Sequence, residues 1–243
     1  MSEAARMWTE VVFNVAYLIV VWALVVLMYR RRESVRPEDR PVAKRFMTAF
    51  ALLALGDTGH VGFRVVAYAR GGLDQTLPFL GAELSLVGLG ALATAITVTL
   101  FYALMIDVWR LRFHQPLGAF GVFLLIAAAV RLLLMIPAAN EWYLVVPPQP
   151  WSLYRNLPLT ILGLGVAYLI LRDASRARDR AFVWIGVMIL ISYACYIPVI
   201  LLVQQAPLVG MLMIPKTMAY LGIAFIGYRA LWAPMPQPVA VAA

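Results

Sequence analysis

Seven long apolar runs, separated by short polar segments, leave this chain little choice of fold. They cover residues 8–29, 46–69, 79–107, 117–137, 156–172, 181–204 and 207–230. A helix rises 1.5 Å per residue, so about 20 apolar residues cross a hydrocarbon layer of about 30 Å. Lipid offers no water to a backbone N–H or C=O, so each run must bond internally as a helix. The expectation is an all-α fold, a seven-transmembrane helix bundle forming a single domain over residues 1–232. The Pro- and Ala-rich tail, residues 233–243, is expected to be disordered. Composition agrees. Only 13% of residues are charged and 63% are hydrophobic, where soluble domains carry about 25% charged residues.

Charge follows topology. Fourteen of the twenty basic residues fall on one side of the predicted spans, beginning with Arg30, Arg31, Arg32, Arg36, Arg40, Lys44 and Arg45 after the first run. The positive-inside rule makes that loop cytoplasmic, with the N-terminus outside and the C-terminus cytoplasmic. The net charge of +8 therefore reports orientation, and nucleic acid is not an expected partner. The basic cluster follows the first run instead of preceding it, which reads as a retained span and not a cleaved signal peptide. Six of seven tryptophans, all but Trp22, lie near span ends as an interfacial belt. The expected location is the cell's cytoplasmic (inner) membrane, multi-pass. The lipid bilayer is the first partner, and a homo-oligomer or a partner chain is compatible with the sequence. One cysteine, Cys195, excludes a disulfide framework within the chain, and two histidines, His60 and His114, leave no expected metal site.

Function is sought among the polar residues that interrupt the runs. Lys216 stands nine residues into the last run, about 14 Å deep at helical rise. An ammonium at that depth costs about 2.5–3.5 kcal/mol on insertion scales. In the second run Asp57, His60 and Arg64 are spaced i, i+3, i+7 and share one helical face. Gly56, Gly59 and Gly62 permit a close neighbour there. In the third run Glu83 is expected on one face with Gly90, Thr94 and Thr97. Arg131 lies in the outer half of the fourth run, where it is long enough to snorkel. Arg155 and Asn156 open the fifth, Tyr193 and Tyr196 precede Pro198 in the sixth, and Tyr220 lies one turn beyond Lys216 in the seventh. Asp57 and Lys216 should both lie near the midplane, flooring a polar cavity in the outer half. Arg64, Arg131 and Lys216 outnumber Asp57 and Glu83, favouring an anionic ligand. The pairs Pro78-x-x-Gly81 and Pro207-x-x-Gly210 further suggest that the third and seventh spans open alike in a 3+1+3 pseudo-repeat.

Four segments, GDTGHVGFR at 56–64, TLFYALMIDVWRLRF at 99–113, WSLYRNLP at 151–158 and GMLMIPKTMAY at 210–220, together resemble a family of uncharacterised bacterial seven-span integral membrane proteins. The resemblance covers most of the chain and implies a bacterial cytoplasmic membrane but no activity. The architecture also resembles microbial rhodopsins, in which a lysine midway along the last span carries retinal as a Schiff base. That resemblance implies retinal on Lys216. Position 212 is leucine where that family has aspartate, the third span lacks its Arg-x-x-Asp pattern, and tryptophan is nearly absent at mid-depth.

Three readings follow. The first is a transporter- or sensor-like protein that binds a small anionic or zwitterionic ligand, or protons, through the residues named above and without a cofactor. The second is an opsin-like protein with retinal on Lys216. The third is an intramembrane lipid-modifying enzyme using Asp57 and His60 as acid and base. An enzyme is the least expected, because no Ser or Cys nucleophile lies near a base.

Overall fold

The computed structural model describes residues 3–79, 82–144 and 147–232; of residues 3–10, 79 and 82–84 it describes the backbone alone. The predicted tail, 233–243, lies outside the described residues. Among the described residues seven α-helices form the body: α1 (Glu3–Arg30), α2 (Arg40–Ala69), α3 (Leu86–Phe113), α4 (Gly118–Leu134), α5 (Trp151–Arg176), α6 (Arg180–Leu202) and α7 (Met213–Leu231). Six of them are long and apolar enough to cross a membrane, so the chain reads as a multi-pass membrane protein. The helix α4 is equally apolar but has 17 residues, about 26 Å at helical rise, just short of the layer.

The helices neighbour one another in chain order. The broadest contact joins α2 to α3; α5 packs on α6, α6 on α7, and α1 closes the ring by touching both α2 and α7. The helix α3 also reaches α5 directly, so α4 flanks this pair. The tight α2–α3 seam depends on glycine. A Cβ at Gly90 would lie 2.9 Å from the Cα of His60, and one at Gly56 would fall on the Thr97 hydroxyl. Gly62, by contrast, faces open space.

Two corrections concern the segment before α3. Residues 76–79 and 82–85 do not belong to a helix. They form an antiparallel hairpin of β1 (Thr76–Phe79) and β2 (Ala82–Ser85), with Pro78 opposite Glu83. Pro78 has no N–H to give a helix, and Ser85, in extended conformation, accepts from the Gly88 N–H at 3.1 Å and caps α3. Glu83 therefore shares no helical face with Gly90 and Thr94. The two openings that suggested a pseudo-repeat are also unlike: Pro207–Leu212 is a 3-10 helix leading into α7, whereas Pro78 lies in a strand.

The hairpin marks one end of the bundle and the arginine-rich α1–α2 loop the other; these are called here the hairpin end and the basic end. The basic half is filled with apolar and aromatic side chains. Phe46, Phe50, Phe101, Met105, Phe182, Ile185 and Ile223 have no exposed surface. Phe50 meets Phe101 edge-on at 5.2 Å between centroids, and Phe101 meets Tyr220 at 5.6 Å. Lipid is as apolar as leucine, so dispersion and close fit hold these helices together, not escape from water. Large apolar residues such as Ile19, Leu133, Trp184 and Phe225 cover the outside. Polar ties pin the basic end: Trp109 donates to Asp173 at 2.8 Å, Trp232 to the Met28 carbonyl at 2.8 Å, and Arg112 bonds both Asp39 and Asp179.

Candidate functional site

The interior changes character toward the hairpin end. Asp57, midway along α2, receives two short hydrogen bonds across the bundle. The Tyr17 hydroxyl of α1 donates to Oδ2 at 2.7 Å, and the Thr94 hydroxyl of α3 donates to Oδ1 at 2.7 Å. Each carboxylate oxygen thus has a charge-assisted partner. Trp22 donates to Thr58 at 2.9 Å beside it, which fixes α1 against α2 a second time.

Lys216 does not touch Asp57. It lies in the first turn of α7, after the 3-10 segment, with Nζ 4.5 Å from the Tyr196 ring centroid and 5.5 Å from that of Tyr220. Among the described residues no carboxylate comes within ion-pair distance of it. Asp57 and Arg131 act on it electrostatically from further away. Cation–π contact with two tyrosines favours the charge there, by roughly 0.5–2 kcal/mol from an exposed to a desolvated setting. Lys216, Asp57 and His60 are each only half-buried, although all three lie inside the ring of helices.

Arg131 does not snorkel. It is 2% exposed and turns inward, donating from Nε to the Arg155 carbonyl at 3.1 Å and from one terminal nitrogen to the Ala95 carbonyl at 2.9 Å and the Thr99 hydroxyl. All three acceptors are neutral. The guanidinium has good geometry but no counter-charge among the described residues. Arg155, a candidate ligand residue at the start of the fifth run, is 6% exposed. It lies 4.1 Å over the Trp142 ring and donates to the Asn140 carbonyl and side chain, so it secures the α4–α5 connection. Asn156 accepts from the Tyr196 hydroxyl at 2.9 Å and so orients the ring on which Lys216 rests.

The remaining predicted residues divide. His60 is near Arg64 and Lys216, and its Nδ1 is buried without a hydrogen-bond partner among the described residues. Tyr220 and Tyr102 share a hydrogen bond of 2.8 Å and close the interior toward the basic half. Tyr193 belongs to packing: its hydroxyl donates to the Leu159 carbonyl at 2.8 Å, and its ring fills the space a side chain at Gly163 would need. Glu83 lies in β2, apart from the helical cluster in sequence position, and its side chain is outside what is described. Lys216, Asp57, His60, Arg64, Arg131, Asn156, Tyr196 and Tyr220 are thus brought to one region, whereas Arg155 and Tyr193 serve the scaffold.

Two residues of this region escaped the sequence reading as site members, Tyr17 and Thr94. The signal for Tyr17 was present: it is one of few polar groups in the middle of the first apolar run. Thr94 shared a predicted face with Gly90 and Thr97 but had no assigned partner. No protein-family model matches this chain, and neither does any curated protein or any solved structure, so the reading of function rests on these residues.

Proposed function

We propose that all seven helices cross a bacterial cytoplasmic membrane, with the basic end in the cytoplasm, and that the hairpin half binds a small anionic or zwitterionic solute. The orientation is supported by the fourteen basic residues gathered at one end. The ligand class rests on one observation: Arg131, buried, and Lys216, half-buried, are cations whose partners are rings, carbonyls and a hydroxyl, while Asp57 is taken up by Tyr17 and Thr94. A buried charge without a counter-charge is costly by several kcal/mol. An anion between α2, α3, α6 and α7 supplies that counter-charge, and the orphaned His60 Nδ1 accepts from a ligand N–H or O–H. Such a site suits a carrier or a sensor.

The test is native mass spectrometry of protein gently extracted from host membranes, wild type beside Lys216→Met and Arg131→Met. The expected result is a small-molecule adduct on wild type that both variants lose while remaining folded. Unchanged adduct occupancy in both variants refutes the reading. A second reading, retinal on Lys216, is favoured by the amine's having no acid or carbonyl partner among the described residues. It predicts that an adduct of aldehyde mass less one water appears on adding retinal, with a visible absorption band lost in Lys216→Met.

A further inference from the structure

A second charged site lies at the opposite end of the molecule. A cleft of about 530 Å³ opens among the basic ends of α3, α5 and α6, lined by Arg112, Phe113, Ala177, Arg178, Asp179 and Arg180. The cleft is shallow and open to solvent. It shares no residue with the Lys216 cluster.

The three arginines are in different situations. Arg112 is consumed: it bonds Asp39 and Asp179, and its guanidinium lies 5.2 Å over the Phe182 ring. Arg178 and Arg180 are exposed and have no ion pair or side-chain hydrogen bond among the described residues. Asp179 is also consumed, accepting from the Phe182 N–H at 3.2 Å to cap α6. With Asp39 included, three arginines face two aspartates. The cleft keeps one net positive charge, carried by two unengaged guanidiniums. That suits a phosphodiester, with one negative charge and two free oxygens, better than a polyphosphate.

Both free arginines stand where local rules favour something else. Arg178 has φ +55°, in the left-handed region where glycine is the usual residue. It ends α5 in a Schellman arrangement, with the Asp179 N–H bonded to the Ala174 carbonyl at 2.9 Å and the Arg178 N–H to the Ser175 carbonyl at 3.3 Å. Arg180 opens α6, and a cation there opposes the helix dipole. Residues that break a local rule and carry the same charge into one cleft fit a site better than a topology signal, which any position in the loop would satisfy.

We propose that this cleft holds the phosphodiester of an anionic glycerophospholipid, with Arg178 and Arg180 on the phosphate oxygens and Arg112 as their fixed neighbour. The cleft lies at the basic ends of α3, α5 and α6, which the proposed orientation puts at the cytoplasmic membrane interface, where such headgroups are found. The lipid and a soluble phosphate ester share this chemistry, and the experiment separates them. Purified protein in neutral detergent is titrated with phosphatidylglycerol, phosphatidylcholine or soluble glycerol phosphate, following melting temperature and lipids retained in native mass spectra. Phosphatidylglycerol raises the wild-type melting temperature by about 5–10 °C at saturation, and phosphatidylcholine does so far less.

The decisive variants are Arg178→Gly and Arg180→Ala, with Arg31→Ala as a control of equal charge at the same end. Glycine is at home at φ +55°, so Arg178→Gly keeps or exceeds the lipid-free melting temperature while losing at least half of the lipid-induced shift. Arg31→Ala keeps the whole shift. A full shift in the Arg178→Gly/Arg180→Ala double variant overturns the site, as does equal loss in Arg31→Ala. A shift of the same size from glycerol phosphate, lost in the same variants, overturns the lipid as the source.

Discussion

The hydrogen bond from Tyr17 to Asp57 gives a quantitative check on the charge assigned to the centre of the bundle. Tyr17→Phe removes the hydroxyl alone; the ring, 4% exposed, keeps its packing. A hydrogen bond to a charged group is worth about 1.5–3 kcal/mol net. For a chain of this size 1 kcal/mol corresponds to roughly 2–4 °C, so Tyr17→Phe should lower the melting temperature by about 3–12 °C. Interhelical hydrogen bonds between neutral groups in membranes average only about 0.6 kcal/mol. The two values are far enough apart to decide between a carboxylate and a protonated acid. The control background is Asp57→Asn, which keeps the shape and removes the charge. There Tyr17→Phe should cost about 0.6 kcal/mol, leaving a coupling energy of about 1 kcal/mol or more in the double-mutant cycle. Equilibrium unfolding in mixed micelles supplies the four values. A cost of about 0.6 kcal/mol in both backgrounds would show that Asp57 is uncharged or held by water, and the negative charge assigned to the centre of the bundle would fall with it.

Two further predictions concern the scaffold. Gly90→Ala places a Cβ 2.9 Å from the His60 backbone and should destabilise the α2–α3 seam by about 1–3 kcal/mol; Gly62→Ala, facing open space, should be neutral or gain up to about 1 kcal/mol from helix propensity, with thermal unfolding of both as the check. Trp109→Phe removes the 2.8 Å bond to Asp173 and should cost about 1.5–3 kcal/mol, read as faster amide exchange where α3 and α5 meet at the basic end.

Much of the bundle was legible because long apolar runs leave the backbone one solution. The hairpin was not, because Leu77, Phe79, Leu80, Ala82 and Leu84 merge its hydropathy with that of α3. Period-two alternation over four residues is too brief to outweigh such a run. The better clue was Ser85, a helix cap seven residues into what looked like a span. The inward turn of Arg131 was illegible for another reason. A side chain long enough to reach the interface reaches equally far inward, and the direction is set by the Ala95 carbonyl and Thr99 hydroxyl on a different helix.

The pairing of charges was the least legible feature, and it bears most on function. Depth alone put Asp57 beside Lys216, and opposite charges at one depth invite an ion pair. Depth says nothing of rotation about the helix axis, which moves a side chain 100° per residue. In the folded bundle Asp57 turns to hydroxyls on α1 and α3, which satisfy both of its oxygens without a cation. Lys216 turns to the rings of α6 and α7, which favour a cation without neutralising it. A direct ion pair would lock both groups and leave nothing for a ligand to gain. Two separately supported charges, with Arg131 adding a third, keep a field in the hairpin half that a small anion can answer. The same separation leaves Lys216 as the group whose removal should abolish the proposed anion binding while the Asp57 hydrogen bonds, and the fold they brace, stay in place.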